Sequence, residues 1–172
     1  MTGRRPAPAK PVYDGPLLDP TVLPDRVAAT RSKILEACES GDIVQLRPAI
    51  ERNETLPLFG TAGNRPKSFS TAIEFLKAKS FDGEGRETLL LLENILNAPF
   101  VRETAGVHVS WIWPAWGLLE TGDAAETLAE LKARCVSFGD FLASKNGAFP
   151  SLQRVSIGSD GTWHLFGPMT GG

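Results

Sequence analysis

Two histidines and two acids are the residues of this sequence that could perform acid–base chemistry. His108 and His164 lie in segments with strand-like alternation, and Asp140 or Asp160 could hold either imidazole by a carboxylate contact. Such a pair can tune a general base, but sequence spacing does not place either acid beside either histidine. A zinc site would need the histidines to converge with further ligands, and no metal-ligand spacing is present, so we expect no metal. A hydrogen-bonded structural role is the favoured interpretation of each histidine.

Tryptophans form the most unusual local feature. Trp111, Trp113 and Trp116 lie close together, and Trp163 follows in the last predicted hairpin. Exposed indoles can stack on sugars or bases or bind peptides, whereas buried ones fill a core. Alternation puts Trp111 and Trp113 on one face of a strand, where we expect mainly structural roles. Pro114 then turns the chain, which makes Trp116 the best candidate for an exposed indole, and all four tryptophans are candidate ligand-binding residues.

Other signals for catalysis are weak. Gly83-Glu84-Gly85 precedes a helix but lacks the third glycine of a dinucleotide fingerprint and the Gly-Lys-Ser/Thr of a P-loop, so we interpret it as a helix cap. Cys38 and Cys135 lie on apolar helix faces, where we expect buried free thiols rather than a bridge or a nucleophile. The sequence therefore indicates no cofactor.

Composition and charge exclude several classes of protein. The 172 residues, 42% hydrophobic and 22% charged, fit one globular domain. The 18 Lys+Arg nearly balance the 20 Asp+Glu without a basic stripe, so we expect no nucleic-acid partner. No apolar run is long enough to span a membrane. The basic N-terminal residues lead into no apolar segment, so no signal peptide is predicted.

Periodicity predicts the elements that must position these residues. Six of the 13 prolines lie in the first 24 residues and predict an extended arm at 1–24. The arm is either a solvated tail or packed from Val12 onward, since Tyr13, Leu17, Leu18 and Leu23 need cover. Helices are predicted at 25–39, after Asp42 (kinked or ended by Pro48), at 70–79, 86–97 and 124–143. The Leu89-Leu-Leu-Leu92 block is apolar on too many sides for a surface helix and predicts a central one. A strand is predicted at 107–113 and a β-hairpin at 153–158 and 162–167.

Helices precede strands in this order, without βαβ alternation, which predicts an α+β fold. We expect helices packed on a small antiparallel sheet with a C-terminal β-hairpin. The predicted domain spans 25–168, behind the proline-rich arm and before a short tail at 169–172.

Several stretches resemble a family of uncharacterised alphaproteobacterial proteins. They are Ile34-Leu-Glu-Ala-Cys-Glu-Ser-Gly-Asp-Ile43 with Leu46-Arg-Pro48, Asp82-Gly-Glu-Gly-Arg-Glu87, Trp113-Pro114 and Ile157-Gly-Ser-Asp-Gly-Thr-Trp-His-Leu-Phe166. The resemblance covers about 13–166 and implies an exported, periplasmic protein without an assigned activity. Because no signal peptide is predicted, a cytoplasmic protein is the alternative. Family members follow Trp-Pro with Tyr-Phe and end in Ala-Gly-Asp, where this chain has Ala115-Trp116 and Pro168-Met-Thr-Gly-Gly172.

A looser similarity links the chain to NTF2-like, cone-shaped domains, through Ser-Gly-Asp after the first helix and the closing Asp-Gly-Thr-Trp hairpin. Taken together, the residues favour a non-enzymatic module that binds a small molecule, glycan or protein near the tryptophans. One alternative is an enzyme with an NTF2-like pocket and a His–carboxylate pair, and another is a structural or interaction protein. A deep cavity holding such a pair would favour the enzyme, and an open groove with exposed indoles would favour binding.

Overall fold

The computed structural model describes residues 10–59, 66–115, 135 and 153–168. These residues form four α-helices, two short 3₁₀ helices and six strands. In chain order they are β1 (Val12–Leu17), a 3₁₀ helix (Pro20–Val22), α1 (Asp25–Ser40), a 3₁₀ helix (Ile43–Leu46), α2 (Arg47–Glu51), β2 (Leu58–Phe59), α3 (Phe69–Lys79), α4 (Arg86–Leu96), β3 (Phe100–Ala105), β4 (His108–Trp113), β5 (Gln153–Gly158) and β6 (Trp163–Pro168).

The six strands belong to one sheet, in the order β1-β3-β4-β5-β6-β2. Neighbouring strands pair antiparallel, except that β2 pairs parallel with β6 through Leu58 and Phe59. The predicted α+β class and the C-terminal hairpin β5–β6 are therefore confirmed.

The sheet separates two apolar clusters. On one face, which we call the helix face, strand residues join the helices in the main core; they include Phe100, Trp111, Trp113, Val155, Ile157, Trp163 and Phe166. On the other, the far face, a smaller cluster of Val101, Ile112 and Ala115 is packed against Tyr13. Because successive strand residues point to opposite faces, each strand contributes to both sides.

Helix α4 is central by burial. Its core residues Leu89, Leu91, Leu92, Ile95 and Leu96 are at most 4% exposed. Leu90, however, is 57% exposed. The prediction that most of these residues are buried is confirmed, but the expectation that the leucine block leaves no surface-facing side is wrong. An α-helix turns about 100° per residue, so one residue of a four-residue block must point away from the core.

The predicted arm contains a strand. β1 pairs antiparallel with β3, from Val12 opposite Thr104 to Leu17 opposite Phe100. Pro16 is compatible with β1 because an edge strand has one side whose N–H groups need no partner strand. Leu23 is buried in the main core, so the folded unit takes in residues that precede position 25.

Two further local predictions are corrected. Pro48 does not end a helix but lies in the first turn of α2, where backbone N–H groups have no intrahelical acceptor and a proline is accommodated. The segment before it is a 3₁₀ helix, capped by Asp42, whose carboxylate accepts a hydrogen bond from the Val44 N–H at 3.1 Å. The strands β2 and β3 were not predicted.

Two side chains fasten the C-terminal hairpin to the helical layer. The Thr30 hydroxyl on α1 donates to the Gly161 carbonyl at 2.6 Å. The Asn53 amide donates to the Trp163 carbonyl at 2.7 Å and accepts from the Trp163 N–H at 3.1 Å. Strand β2 pairs with Leu165 and Phe166 but not with Trp163. Asn53 therefore supplies hydrogen bonds to the Trp163 backbone, which β2 does not reach.

The helix predicted at 124–143, apart from the buried Cys135, and the tail at 169–172 lie outside the described residues. Within the described ranges, no helix combines the length and apolarity needed to cross a membrane.

Candidate functional site

Three of the four tryptophans lie in the interior. Trp113 and Trp163 have no exposed surface, and Trp111 is 6% exposed. Trp111 and Trp113 pack around Phe100, with ring centroids 6.1 and 5.2 Å from its ring. The prediction that these two residues share one environment is confirmed, and that environment is the main core. An exposed stacking platform would have to rest on Trp116, which lies outside the described residues.

The indole N–H groups differ in their hydrogen bonding. Trp163 Nε1 donates to the Leu165 carbonyl at 3.1 Å. Trp111 Nε1 and Trp113 Nε1 are buried, but neither has an acceptor within the described part of the chain. Buried polar groups are paired in the great majority of native structures, so two unpaired donors on one strand face need an explanation.

His164 is the extra residue of a β-bulge. Ser156 on β5 opposes Leu165, and the next residue of β5 opposes Trp163, so His164 is left without an opposite residue. A bulge of this kind re-aims a side chain. The imidazole lies over Gly158, where a Cβ atom would come within 2.6 Å of His164 Nε2. The missing side chain at Gly158 therefore makes room for the ring.

Asp160 lies beside this imidazole. A Cβ atom added at Gly158 would also lie 3.1 Å from Asp160 Oδ1. This carboxylate oxygen accepts a hydrogen bond from the Thr162 N–H at 2.9 Å. The bonds from Thr162, with a smaller contribution from the charge of His164, lower the pKa of Asp160. Of the predicted pairs, the structure brings together His164 and Asp160. His108 is exposed at the start of β4, and Asp140 lies outside the described residues.

Strand register places further polar side chains in line with His164. Tyr13 opposes Glu103, Glu103 opposes Ser110, and Ser110 opposes Gly158, over which the His164 ring lies. Directly opposite residues project from the same face, here the far face. We call Tyr13, Glu103, Ser110 and His164 the polar row.

The Tyr13 end of the row is fixed by a hydrogen bond. Partial burial raises the pKa of Tyr13, and the hydrogen bond to Glu103 raises it further, while the charge of Arg154 opposes this effect. The Tyr13 hydroxyl therefore stays protonated and donates to the Glu103 carboxylate.

The glycine-rich turn before α4 is a helix cap, as predicted. Asp82 Oδ1 accepts hydrogen bonds from the backbone N–H groups of Glu84 and Gly85, at 3.0 and 3.1 Å. These are the donors that a bound phosphate would need, and the carboxylate of the chain already uses them. An open groove of about 360 Å³ lies here, with both acidic and basic side chains among its lining residues Gly41, Asp42, Ile43, Lys77, Gly83, Glu84 and Arg86.

Burial makes Cys38 a poor nucleophile. Both cysteines are buried and lie outside any disulfide, as predicted. Burial, followed by the charge of Glu93, raises the pKa of Cys38 to about 12, which keeps its thiolate population negligible at neutral pH. Among the described residues, no group of three or more His, Cys, Asp or Glu side chains could hold a metal ion.

No protein-family model, curated protein or solved structure matches this chain. The resemblance to an alphaproteobacterial family, the exported location that it implies and the NTF2-like similarity therefore stay predictions.

Sequence reasoning found His164, Asp160 and the tryptophans but missed Tyr13, Glu103 and Ser110 as parts of one site. The 100–105 segment, Phe-Val-Arg-Glu-Thr-Ala, does not alternate apolar and polar residues, so it carries no period-two signal for β3. The bulge at His164 has no sequence signature of its own.

Proposed function

We propose that this protein is a non-enzymatic binding module that holds a small molecule at the Nε1 edges of Trp111 and Trp113. The observation that carries the proposal is the pair of buried indole donors without an acceptor in the described part of the chain. An unpaired buried donor costs about 1–3 kcal/mol. A ligand that supplies an acceptor to both indoles removes this cost twice, which favours the bound state.

The chemistry of the donors restricts the ligand. An indole N–H donates and cannot accept, so the ligand must present acceptor oxygens. The surroundings include the Phe100 ring and other buried apolar groups of the main core. Because a carboxylate would be costly to bury there, the best match is a neutral molecule with carbonyl oxygens on an apolar body. Because both indole N–H groups are buried, a small molecule is a better match than a glycan or a protein.

The enzyme alternative rests on His164 and Asp160. Both residues are exposed on the β5–β6 hairpin, so both groups are in contact with water. Acid–base catalysis benefits from a site that excludes water and strengthens its electrostatic interactions. The pair therefore supports catalysis less well than the indole donors support binding.

Nuclear magnetic resonance of the indole N–H groups tests the proposal. Protein labelled with ¹⁵N is titrated with a library of small neutral amides, ketones and lactones, and the indole signals are assigned from single Trp→Phe variants. We expect a ligand to shift the Trp111 and Trp113 signals together, because both gain an acceptor. The Trp163 signal is the internal control, since its donor is already bonded to Leu165.

Replacing an indole by its benzothiophene isostere removes the N–H and little else. At Trp113 this replacement should weaken binding and leave the free protein at least as stable, because no existing hydrogen bond is lost. At Trp163 the same replacement should cost about 1 kcal/mol of stability. A loss of stability at Trp113 as large as that at Trp163, or a library in which nothing moves the Trp111 and Trp113 signals, would contradict the proposal.

A further inference from the structure

We infer that the polar row is a second binding site and that its ligand is a neutral, hydroxyl-rich molecule, a saccharide. The site is separate from the indole donors. Ser110 and Trp111 are neighbours on β4, so their side chains project from opposite faces of the sheet. The polar row therefore lies on the far face, and the indoles lie on the helix face.

The row presents its groups at regular intervals. Glu103, Ser110 and Gly158 are direct partners on three adjacent strands, and neighbouring strands lie about 4.7–4.9 Å apart. The His164 ring occupies the space above Gly158 and so continues the row. Side chains at this spacing can each meet a different hydroxyl group of one extended ligand.

Three charged or titratable groups at the row, Glu103, His164 and Asp160, are held in place by the fold. The Glu103 carboxylate accepts a hydrogen bond from Tyr13. His164 is directed by the bulge and by the missing side chain of Gly158. Asp160 is held by the Thr162 N–H. Groups fixed before binding lose less conformational entropy when the ligand arrives, which is a property of a binding surface.

The donors and acceptors of the row match hydroxyl groups. The carboxylates of Glu103 and Asp160 accept, the Ser110 hydroxyl both donates and accepts, and the His164 imidazole has an N–H that can donate. A hydroxyl group also does both. The carboxylates of Glu103 and Asp160 disfavour phosphates and other anions, and the charge of Arg154, which acts on Tyr13, disfavours cations, so the row favours a neutral ligand. A cationic peptide is the competing occupant, since it would pair with the same carboxylates.

Binding of neutral sugars tests this inference. The full chain is titrated with glucose, galactose, mannose, N-acetylglucosamine, maltose and cellobiose, and the amide and imidazole resonances of the protein are followed. At least one sugar should shift the signals of Ser110 and His164 while the Trp111 and Trp113 indole signals stay in place. His164→Gln and Ser110→Ala should each weaken that binding about three- to tenfold, as expected for the loss of one hydrogen bond.

The chain offers a matched control for each substitution. His108→Gln changes the other histidine, which is also exposed, and Ser156→Ala changes a far-face serine two residue pairs away from the row. Both should leave sugar binding unchanged within about twofold. Thermal unfolding of all four variants shows whether each is folded. Failure of every sugar to bind, equal effects of His164→Gln and His108→Gln, or preferential binding of an oligolysine peptide would overturn the inference.

Discussion

Burial controls the chemistry of Cys38. The folded protein holds the pKa of this thiol at about 12, mainly because burial disfavours the thiolate, whereas the unperturbed value is 9.0. The protonated thiol is therefore favoured by folding. Its stabilising effect is fully present below pH 9 and is lost as the pH rises from 9 towards 12. The reactivity and the alkaline stability of the protein should both reflect this shift.

Thiol labelling checks this expectation. At pH 8 a disulfide reagent should modify Cys38 slowly in the native protein and rapidly in denaturant, because the thiolate forms mainly in the unfolded chain. In Cys38→Ala the loss of stability between pH 9 and 12 should be smaller than in the wild type. The loss of stability that remains in the variant includes the ionisation of Tyr13, whose pKa is also raised. Fast native labelling, or an unchanged alkaline profile in the variant, would show that the thiol is accessible.

Two glycines in the turn before α4 form a matched pair. Gly85 has φ +94° and Gly83 has φ +71°, so alanine is strained at both positions. A Cβ at Gly85 would also lie 2.7 Å from Ile43 Cβ, whereas nothing lies within 4 Å at Gly83. Gly83→Ala should cost about 1–2 kcal/mol of unfolding free energy, the usual strain of a left-handed residue. Gly85→Ala should cost about 1–3 kcal/mol more, because Ile43 must move. Equal costs in urea denaturation would contradict the close packing.

At the scale of elements, local patterns were predictable and distant pairing was not. Helices α1, α3 and α4 follow from apolar spacing, and the hairpin β5–β6 follows from two alternating segments around a short turn. Strand β1 forms because Val12 to Leu17 pair with residues far along the chain. Strand β2 has two residues and depends on β6. A pattern within either segment cannot reveal its distant partner, so both strands escaped prediction.

Helix α4 allows a comparison of two leucines. Leu92 has no exposed surface and Leu90 is 57% exposed. Leu92→Ala should lower the free energy of unfolding by about 2–5 kcal/mol, because it leaves a cavity in the main core. Leu90→Ala should change it by at most about 0.5 kcal/mol, since alanine is a good helix former and little packing is lost. Denaturant titration measures both values. A similar cost for the two variants would mean that Leu90 is covered, as it would be in an oligomer.

At the scale of the whole molecule, one strand serves two proposed sites. The alternation of β4 turns Trp111 and Trp113 towards the main core and Ser110 towards the far face. That division was predicted from the sequence, because period-two alternation is local. The line of Tyr13, Glu103, Ser110 and His164 was not predicted, because it depends on the register of five strands and on one bulge. A site assembled across strands becomes visible when the order of the strands is known.

Strand β1 makes the N-terminal segment part of the fold, and truncation tests this. A chain that starts at residue 11 keeps β1 and serves as the reference. A chain that starts at residue 25 loses every β1–β3 hydrogen bond, the Tyr13 end of the polar row and the buried Leu23. Loss of Leu23 alone should cost about 2 kcal/mol, and the uncovered edge of β3 should promote association between chains. We therefore expect the shorter chain to melt at a lower temperature and to aggregate as its concentration rises, as measured by calorimetry and light scattering. Equal melting temperatures and monomeric behaviour of both chains would show that the domain begins at residue 25 and that β1 is dispensable.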